Sequence, residues 1–261
     1  MKIFIIVFTL LIPLTFLAKA EELFYPNGAK KAVIFSYDDG VTQDRKLVDI
    51  FNKYHVVGTF NLNSGLFGKK LAWMKDFTGK AGEYILIDEV KSLYQGHEVA
   101  GHSYSHPGLA GLNDKELTRQ IELDQQSLMS ITGSIVKSFA YPLGTYDVAA
   151  MKALHKANFT NARTVEDTHK FELPENYLVW HPTVHHSRAM PLVDEYVKLN
   201  SKKLTVMLIW GHSWEFDMNE QDNNWQYAEE LVKKIANNSD IWYVSAGEFT
   251  DFIQSKSSQL K

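Results

Sequence analysis

The chain has 261 residues, with 27 Lys and Arg against 31 Asp and Glu, and no cysteine. A net charge of −4 without a long basic run argues against nucleic acid or another polyanion as partner. The absence of thiols rules out disulfides and thiolate ligands, so any metal centre has to be built from His and carboxylate.

Met1-Lys2, the apolar run Ile3 to Leu17 and the small-x-small pattern Ala18-Lys19-Ala20 have the layout of a secretory signal peptide over residues 1–20. The run is short for a membrane span, although an uncleaved anchor is the competing reading. Cleavage after Ala20 leaves residues 21–261 as one domain and, by removing Lys2 and Lys19, takes the net charge from −4 to −6. The expectation is an exported protein, periplasmic or extracellular, with no stable span once the leader is removed and an oligomeric state that stays open.

Lys31 to Tyr37 reads as a buried strand ending in Asp38-Asp39-Gly40. Arg45 to Tyr54 reads as a helix, and Val57 to Leu62 as a second strand. Asn63 to Gly82 is a long glycine-punctuated loop of the kind found at functional rims. Ile87 to Gln95 is helical up to Gly96, and His97 to Ala100 is a short strand before His102-Ser103-Tyr104-Ser105-His106. Asn113 caps the next helix, with Glu116 in the reciprocal position and Gly133 as its stop.

Lys137 to Tyr141 is a strand ending in Pro142-Leu143-Gly144, followed by a helix to about Ala157 and a short strand over Thr160 to Arg163. Residues 164–188 carry little pattern beyond a strand expected near Tyr177 to Trp180. Leu204 to Ile209 is a continuous apolar run, as in a parallel strand covered on both faces, and it ends in Trp210-Gly211-His212. Ala228, Leu231, Val232 and Ile235 mark an amphipathic helix. A strand over Ile241 to Val244 and a helix over Gly247 to Gln254 close the domain.

Strands alternating with helices predict a parallel α/β architecture. Asp38-Asp39, His102 and His106, Pro142-Leu143-Gly144 and His212 all follow the C-terminal ends of expected strands, the end of a barrel where active sites are assembled. Taken singly, Asp-Asp-Gly is ordinary turn chemistry, and the two histidines could be one packed and one exposed. Their convergence on one rim is harder to explain by packing.

Together the motifs resemble the polysaccharide deacetylases of the NodB-homology, carbohydrate esterase family 4 group. Ser36-Tyr37-Asp38-Asp39-Gly40 matches the first family motif and His102-Ser103-Tyr104-Ser105-His106 the second. Ala140-Tyr141-Pro142-Leu143-Gly144 matches the third in part, and Leu208-Ile209-Trp210-Gly211-His212 matches the fifth. The resemblance spans roughly Ala32 to Val244. It implies an α/β fold of the deformed (β/α) barrel type in a single domain. It also implies metal-dependent removal of acetyl groups, first the N-acetyl of N-acetylglucosamine units, from a cell-surface or extracellular glycan.

Carried over by position, Asp39, His102 and His106 are the metal ligands, for zinc with cobalt or nickel as alternatives. Asp38 is the general base and His212 the general acid. The backbone N–H of Leu143 faces the oxyanion, Trp210 walls the acetyl pocket, and Tyr141 borders the substrate. The family's third-motif arginine falls at Ala140, and Arg163 at the end of the next strand is the expected replacement. The carboxylate partner of His212 is either Asp167 or Glu215.

Other readings of the same residues are a small-molecule amidohydrolase or deformylase, a carbohydrate-binding protein on a degenerate scaffold, and an iron(II) oxygenase. The binding-protein reading predicts a missing ligand or base, and neither is missing. The oxygenase has no use for Asp38 or His212. His185-His186 could reach the rim and touch substrate, with a solvated or packed loop the preferred reading, and the loop tryptophans Trp73, Trp214 and Trp225 could stack on sugar faces, with core packing or a lid contact preferred for each. His97 is expected to be structural.

Overall fold

The computed structural model describes residues 23–256, so the expected leader lies outside the described residues. The elements run β1 (Lys31–Asp39), α1 (Asp44–Tyr54), β2 (Gly58–Leu62), β3 (Lys70–Leu71), α2 (Lys75–Thr78), β4 (Gly82–Glu83), α3 (Ile87–Leu93) and β5 (Glu98–Gly101). They continue with α4 (Asp114–Thr118), a π-helical turn (Arg119–Leu123), α5 (Asp124–Thr132), β6 (Ser138–Ala140), α6 (Val148–Lys156) and β7 (Asn161–Arg163). The last part holds β8 (Val184–His185), α7 (Met190–Lys198), β9 (Thr205–His212), α8 (Trp225–Ile235), β10 (Ile241–Tyr243) and α9 (Ala246–Ser255). No helix of the described residues is long and apolar enough to cross a membrane.

The large sheet has the order β7-β6-β5-β2-β1-β9-β8, with β10 pairing the start of β1, and every pairing in it is parallel. β1 is buried along all nine residues, as a strand covered on both faces has to be. Its side chains alternate. Val33, Phe35 and Tyr37 join a core with Leu47, Phe51 and Leu231 of α1 and α8, whereas Ala32 and Ile34 pack with Leu208, Trp180 and Phe249 on the opposite face.

The segment Trp180 to His185 closes the curl. The Trp180 N–H donates to the Ala162 carbonyl on one edge at 2.9 Å, and the Thr183 N–H donates to the Leu208 carbonyl on the other at 2.9 Å. The result is a single α/β domain with a curled parallel sheet, the deformed barrel expected. Register then does the positioning. Asp38 pairs with Asn61 of β2 and with His212 of β9, and Ala140 of β6 pairs with Arg163 of β7.

Three local expectations are revised. Tyr177–Val179 is a 3-10 turn rather than a strand, and only Trp180 bridges to Arg163. The side chain of Asn176 caps the turn by accepting the Leu178 N–H at 3.0 Å, which bends the chain out of the extended form. The loop Asn63 to Gly82 contains β3 and α2 and leads into β4. The helix capped by Asn113 and stopped at Gly133 is interrupted by the π-helical turn. The sequence reading also missed α7, whose first turn carries Pro191 and whose Val193 and Tyr196 are buried.

Gly211, inside β9, is required by packing. A Cβ there would lie 2.0 Å from His186 Nδ1, and His186 is fully buried between the rings of Tyr37 and Phe216 and has nowhere to retreat. Gly211→Ala is therefore expected to cost about 1–3 kcal/mol by overpacking. The check is a lower urea midpoint at unchanged m-value, and an unshifted midpoint would refute the clash.

Candidate active site

Asp38 and Asp39 end β1, where neighbouring side chains would point to opposite faces. Asp39 escapes that alternation through a left-handed backbone, φ 82°, costly for a non-glycine residue and characteristic of functional sites. Both carboxylates consequently approach the same imidazole: His102 Nε2 lies 3.9 Å from Asp38 Oδ2 and 3.8 Å from Asp39 Oδ1.

The histidine loop after β5 is clamped from several sides. Ser103 and His106 are left-handed, and the His106 N–H donates to Ser103 Oγ at 3.0 Å. Asn63 Nδ2 donates to the carbonyls of His102 and Ser103. The π-helical turn contributes Gln120, whose backbone carbonyl accepts the Tyr104 N–H at 2.9 Å and whose side-chain oxygen accepts the Ser105 N–H at 2.9 Å. A π turn frees such groups from the helical ladder, and this one spends them on the loop. Asp124, just past the turn, accepts the His102 N–H at 3.1 Å.

His102 donates Nδ1–H to the Ala140 carbonyl at 2.7 Å, which leaves the Nε2 lone pair facing the site. Burial pushes its pKa down to about 4, so the ring is neutral and available as a ligand. His106 Nε2 lies 3.1 Å from His102 Nε2 and 3.5 Å from Asp39 Oδ1. Donor atoms around a tetrahedral zinc stand about 3.3 Å apart. Two nitrogens and a carboxylate oxygen at 3.1, 3.5 and 3.8 Å fit such an ion and leave one position open.

Asp38 is held differently. Arg163 grips both of its oxygens through one terminal nitrogen, and Asn61 Nδ2 donates to Oδ1 at 2.8 Å. Arg163 is itself fixed, with Nε donating to Ser36 Oγ at 3.1 Å, Nη1 to the Thr164 carbonyl at 2.8 Å, and its guanidinium 4.8 Å from the centre of the Trp210 ring. Burial alone would raise the Asp38 pKa, but the charge of Arg163, helped by His102 and His212, outweighs it and holds the carboxyl at about 2.

His212 places Nε2 4.0 Å from Asp38 Oδ2 and bonds through Nδ1 to Glu215 Oε1 at 2.9 Å. Burial would lower its pKa, yet the bond to Glu215 and the negative charges of Asp39, Glu215 and Asp38 raise it to about 9. Glu215 sits among three imidazoles, its Oε2 lying 2.9 Å from His185 Nε2 and 3.1 Å from His186 Nε2. These contacts overcome burial and hold its carboxyl well below the usual range. His185, His212 and Glu215 also lie close enough to hold an ion, but their atoms already engage one another, and His185 Nδ1 faces the Ser187 hydroxyl at 2.9 Å.

Asp38, Asp39, His102, His106, Arg163 and His212 are thus brought together. Of the two acids left open by sequence, Glu215 meets His212, while Asp167 accepts from Trp210 Nε1 at 2.8 Å and from Arg188 at 2.6 Å. Trp210 lies between Arg163 and His212, its ring centre 5.9 Å from that of His212. Leu143 has φ 57° and a side chain 68% exposed. Tyr141 corrects an expectation: its side chain is fully buried, with the hydroxyl donating to the Leu178 carbonyl at 2.8 Å, so the ring does not border the substrate. Asn61, Asn63 and Gln120 went unrecognised, and the pair His185-His186, for which a packed or solvated loop was expected, is buried against Glu215. For Asn61 the available signal was an amide on the inward side of a strand flanked by Phe60 and Leu62.

One rim of a deformed parallel barrel thus carries a His/His/Asp cluster able to hold an ion, an ion-paired aspartate and a carboxylate-backed histidine. The family model for polysaccharide deacetylase matches residues 26–162, and the chain belongs to that family. It is 25% identical over 158 residues to a peptidoglycan-N-acetylglucosamine deacetylase of Bacillus cereus, covering 60% of this chain and 52% of that protein. It is 29% identical over 115 residues to a peptidoglycan-N-acetylmuramic acid deacetylase of Bacillus subtilis, covering 43% of this chain and 21% of that one. The matched segment therefore spans about half of these relatives' length or less.

Among solved structures, a Mycobacterium smegmatis protein assigned to the polysaccharide deacetylases shares the fold with a TM-score of 0.63 at 15% identity, covering 90% of this chain and 94% of that one. The chitin deacetylase of the fungal pathogen Colletotrichum lindemuthianum does so with a TM-score of 0.55 at 17% identity, covering 84% and 87%.

Proposed function

We propose that this protein hydrolyses acetyl groups, first the N-acetyl of N-acetylglucosamine units, from a cell-surface or extracellular glycan after export under a leader at residues 1–20. The observation that carries the reading is the arrangement of Asp38 and His212 about the donor set of Asp39, His102 and His106. One is held as a carboxylate by Arg163 and the other as an imidazolium by Glu215. A base and an acid poised in opposite protonation states are what acyl transfer to water needs.

Asp39, His102 and His106 would hold zinc, or cobalt or nickel. When bound, such an ion polarises the acetyl carbonyl and lowers the pKa of water. Asp38 takes the proton from the attacking water, with Arg163 fixing the carboxylate against rotation. The Leu143 N–H faces the oxyanion of the tetrahedral intermediate, and Trp210 bounds the methyl group. His212 Nε2 gives its proton to the departing amine nitrogen, which is too basic to leave as an anion, and Glu215 keeps the other ring nitrogen protonated.

The test is acetate release from chitooligosaccharides, poly-N-acetylglucosamine, peptidoglycan fragments and acetylated xylan, by metal-stripped protein and after adding back zinc or cobalt. Release that is lost on stripping and returns with metal is expected. Zinc binding with no release from any of the four would move the reading to a small-molecule amidohydrolase.

A further inference from the structure

Two fully buried acids near the rim, Asp44 and Asp124, have no part in the chemistry above. Among the described residues neither forms an ion pair with a lysine, arginine or histidine. They differ in what they meet. Asp44 faces hydroxyls only, those of Tyr94 at 2.6 Å and of Ser213. A hydroxyl accepts as readily as it donates, so Asp44 satisfies its partners with or without a proton. Asp124 takes a backbone N–H on each oxygen. The Ser64 N–H donates to Oδ1 at 2.8 Å, and the His102 N–H, shared with the Leu62 carbonyl, donates to Oδ2 at 3.1 Å. Ser64 Oγ adds a third bond to Oδ1 at 2.6 Å. An N–H can only donate, so these partners favour a carboxylate at position 124.

The local fold brings this acid in behind the histidine loop. Asp124 opens α5 directly after the π-helical turn. A π turn inserts a residue, so the faces of α5 are shifted from those of α4. The buried side chains of α5 are Asp124 and Leu128. Asp124 meets β5 at Gly101, where a Cβ would lie 3.3 Å from its Oδ2 and 3.0 Å from the Phe139 ring. Burying a carboxylate without a cation is costly, and three hydrogen bonds offset only part of that cost.

The other charges on the rim are already matched. Arg163 neutralises Asp38, and Glu215 faces His212. Asp39 is the single carboxylate in the cluster of Asp39, His102 and His106. Imidazoles ligate as neutral rings, so a divalent cation held there keeps one positive charge unmatched. We propose that Asp124 supplies the matching charge, a carboxylate outside the donor set that raises its affinity for a divalent cation without ligating it. The proposal rests on the reading of Asp39, His102 and His106 as metal donors. Asp124 lies against the backbone of His102, and in a low-dielectric interior its charge acts at that range with little screening. The same carboxylate destabilises the metal-free protein and is relieved when the ion binds.

The experiment compares wild type, Asp124→Asn and Ser64→Ala. It measures zinc affinity by competition with a chromophoric chelator, and the visible absorption spectrum of each protein loaded with cobalt. Asp124→Asn removes the charge, whereas Ser64→Ala removes one hydrogen bond to the same carboxylate and leaves the charge. Asp124→Asn is expected to bind zinc about 10–100-fold more weakly, with the cobalt spectrum unchanged because the ligands are the same. Ser64→Ala is expected to stay within about threefold of wild type. If the asparagine variant does not fold, Asp124→Ser, neutral and smaller, takes its place with the same expected loss. Equal zinc affinity in the neutral variant and wild type overturns the proposal. So does an equal loss in Ser64→Ala, or a changed cobalt spectrum, because either assigns the effect to the geometry of the loop. A wild type that binds neither zinc nor cobalt would instead refute the donor set itself, and the proposal with it.

Discussion

Asp38→Asn is expected to lower acetate release by about 10²–10⁴-fold, the usual contribution of a positioned general base, while one zinc still titrates the protein. The separation follows from geometry. Asp39, His102 and His106 are the proposed donor set, with Nε2 to Nε2 at 3.1 Å and Asp39 Oδ1 within 3.8 Å of the Nε2 atoms of both rings. Asp38 is committed elsewhere, to Arg163 and Asn61. The asparagine keeps the volume and an acceptor for Asn61 but has no proton affinity near neutrality. Parallel measurements of turnover and zinc stoichiometry check it. Turnover within tenfold of wild type would remove Asp38 from the role of base.

Arg163→Ala is expected to damage stability and turnover together. Arg163 and Asp38 are 3% and 2% exposed, and breaking a buried pair by deleting one partner typically costs about 3–5 kcal/mol, because the remaining charge is stranded. The pH dependence identifies the cause. In the wild type the Asp38 pKa is depressed to about 2, so its contribution to stability is present above its unfolded value, 3.8, and is lost as pH falls through about 2. Without the guanidinium, burial dominates and raises that pKa, so the variant suffers most above pH 4 and recovers ground as Asp38 takes a proton. Urea denaturation of both proteins at pH 7 and pH 3 is expected to show the gap narrowing at the lower pH; an equal gap would assign the loss to packing. Arg163→Lys keeps the charge but not the planar head that binds Asp38, Ser36 and Thr164 together, and should fall between the two.

The alternation of buried strands and amphipathic helices was legible because Lys31 to Tyr37 and Leu204 to Ile209 are apolar runs that only a doubly covered parallel strand explains. His102 and His106 were legible as a pair because they share one loop, and Asp38-Asp39 as a polar strand end; that Asp39 joins the two histidines as a proposed metal ligand came from the family resemblance, not from spacing. The stretch from 164 to 188 was not legible. Its 3-10 turns are held by side chains such as Asn176, and its extended residues pair with strands at both ends of the sheet, so neither leaves a periodicity.

By itself, the sequence determined a parallel α/β domain, the rim on which the polar residues gather, and the identity of Asp38, Asp39, His102, His106 and His212. Those are properties of local pattern: hydrophobic period, strand ends and short motif spacing. Tertiary structure fixed the geometry of one expected contact and decided two further points. Arg163, already the expected replacement for the arginine absent at position 140, grips Asp38 across 125 residues of chain. Glu215 rather than Asp167 backs His212, and Tyr141 was drawn into the core. Which charge meets which across a barrel depends on strand order and register, here Asp38 opposite His212 and Ala140 opposite Arg163, and these are set by packing of the whole domain rather than by any segment of it.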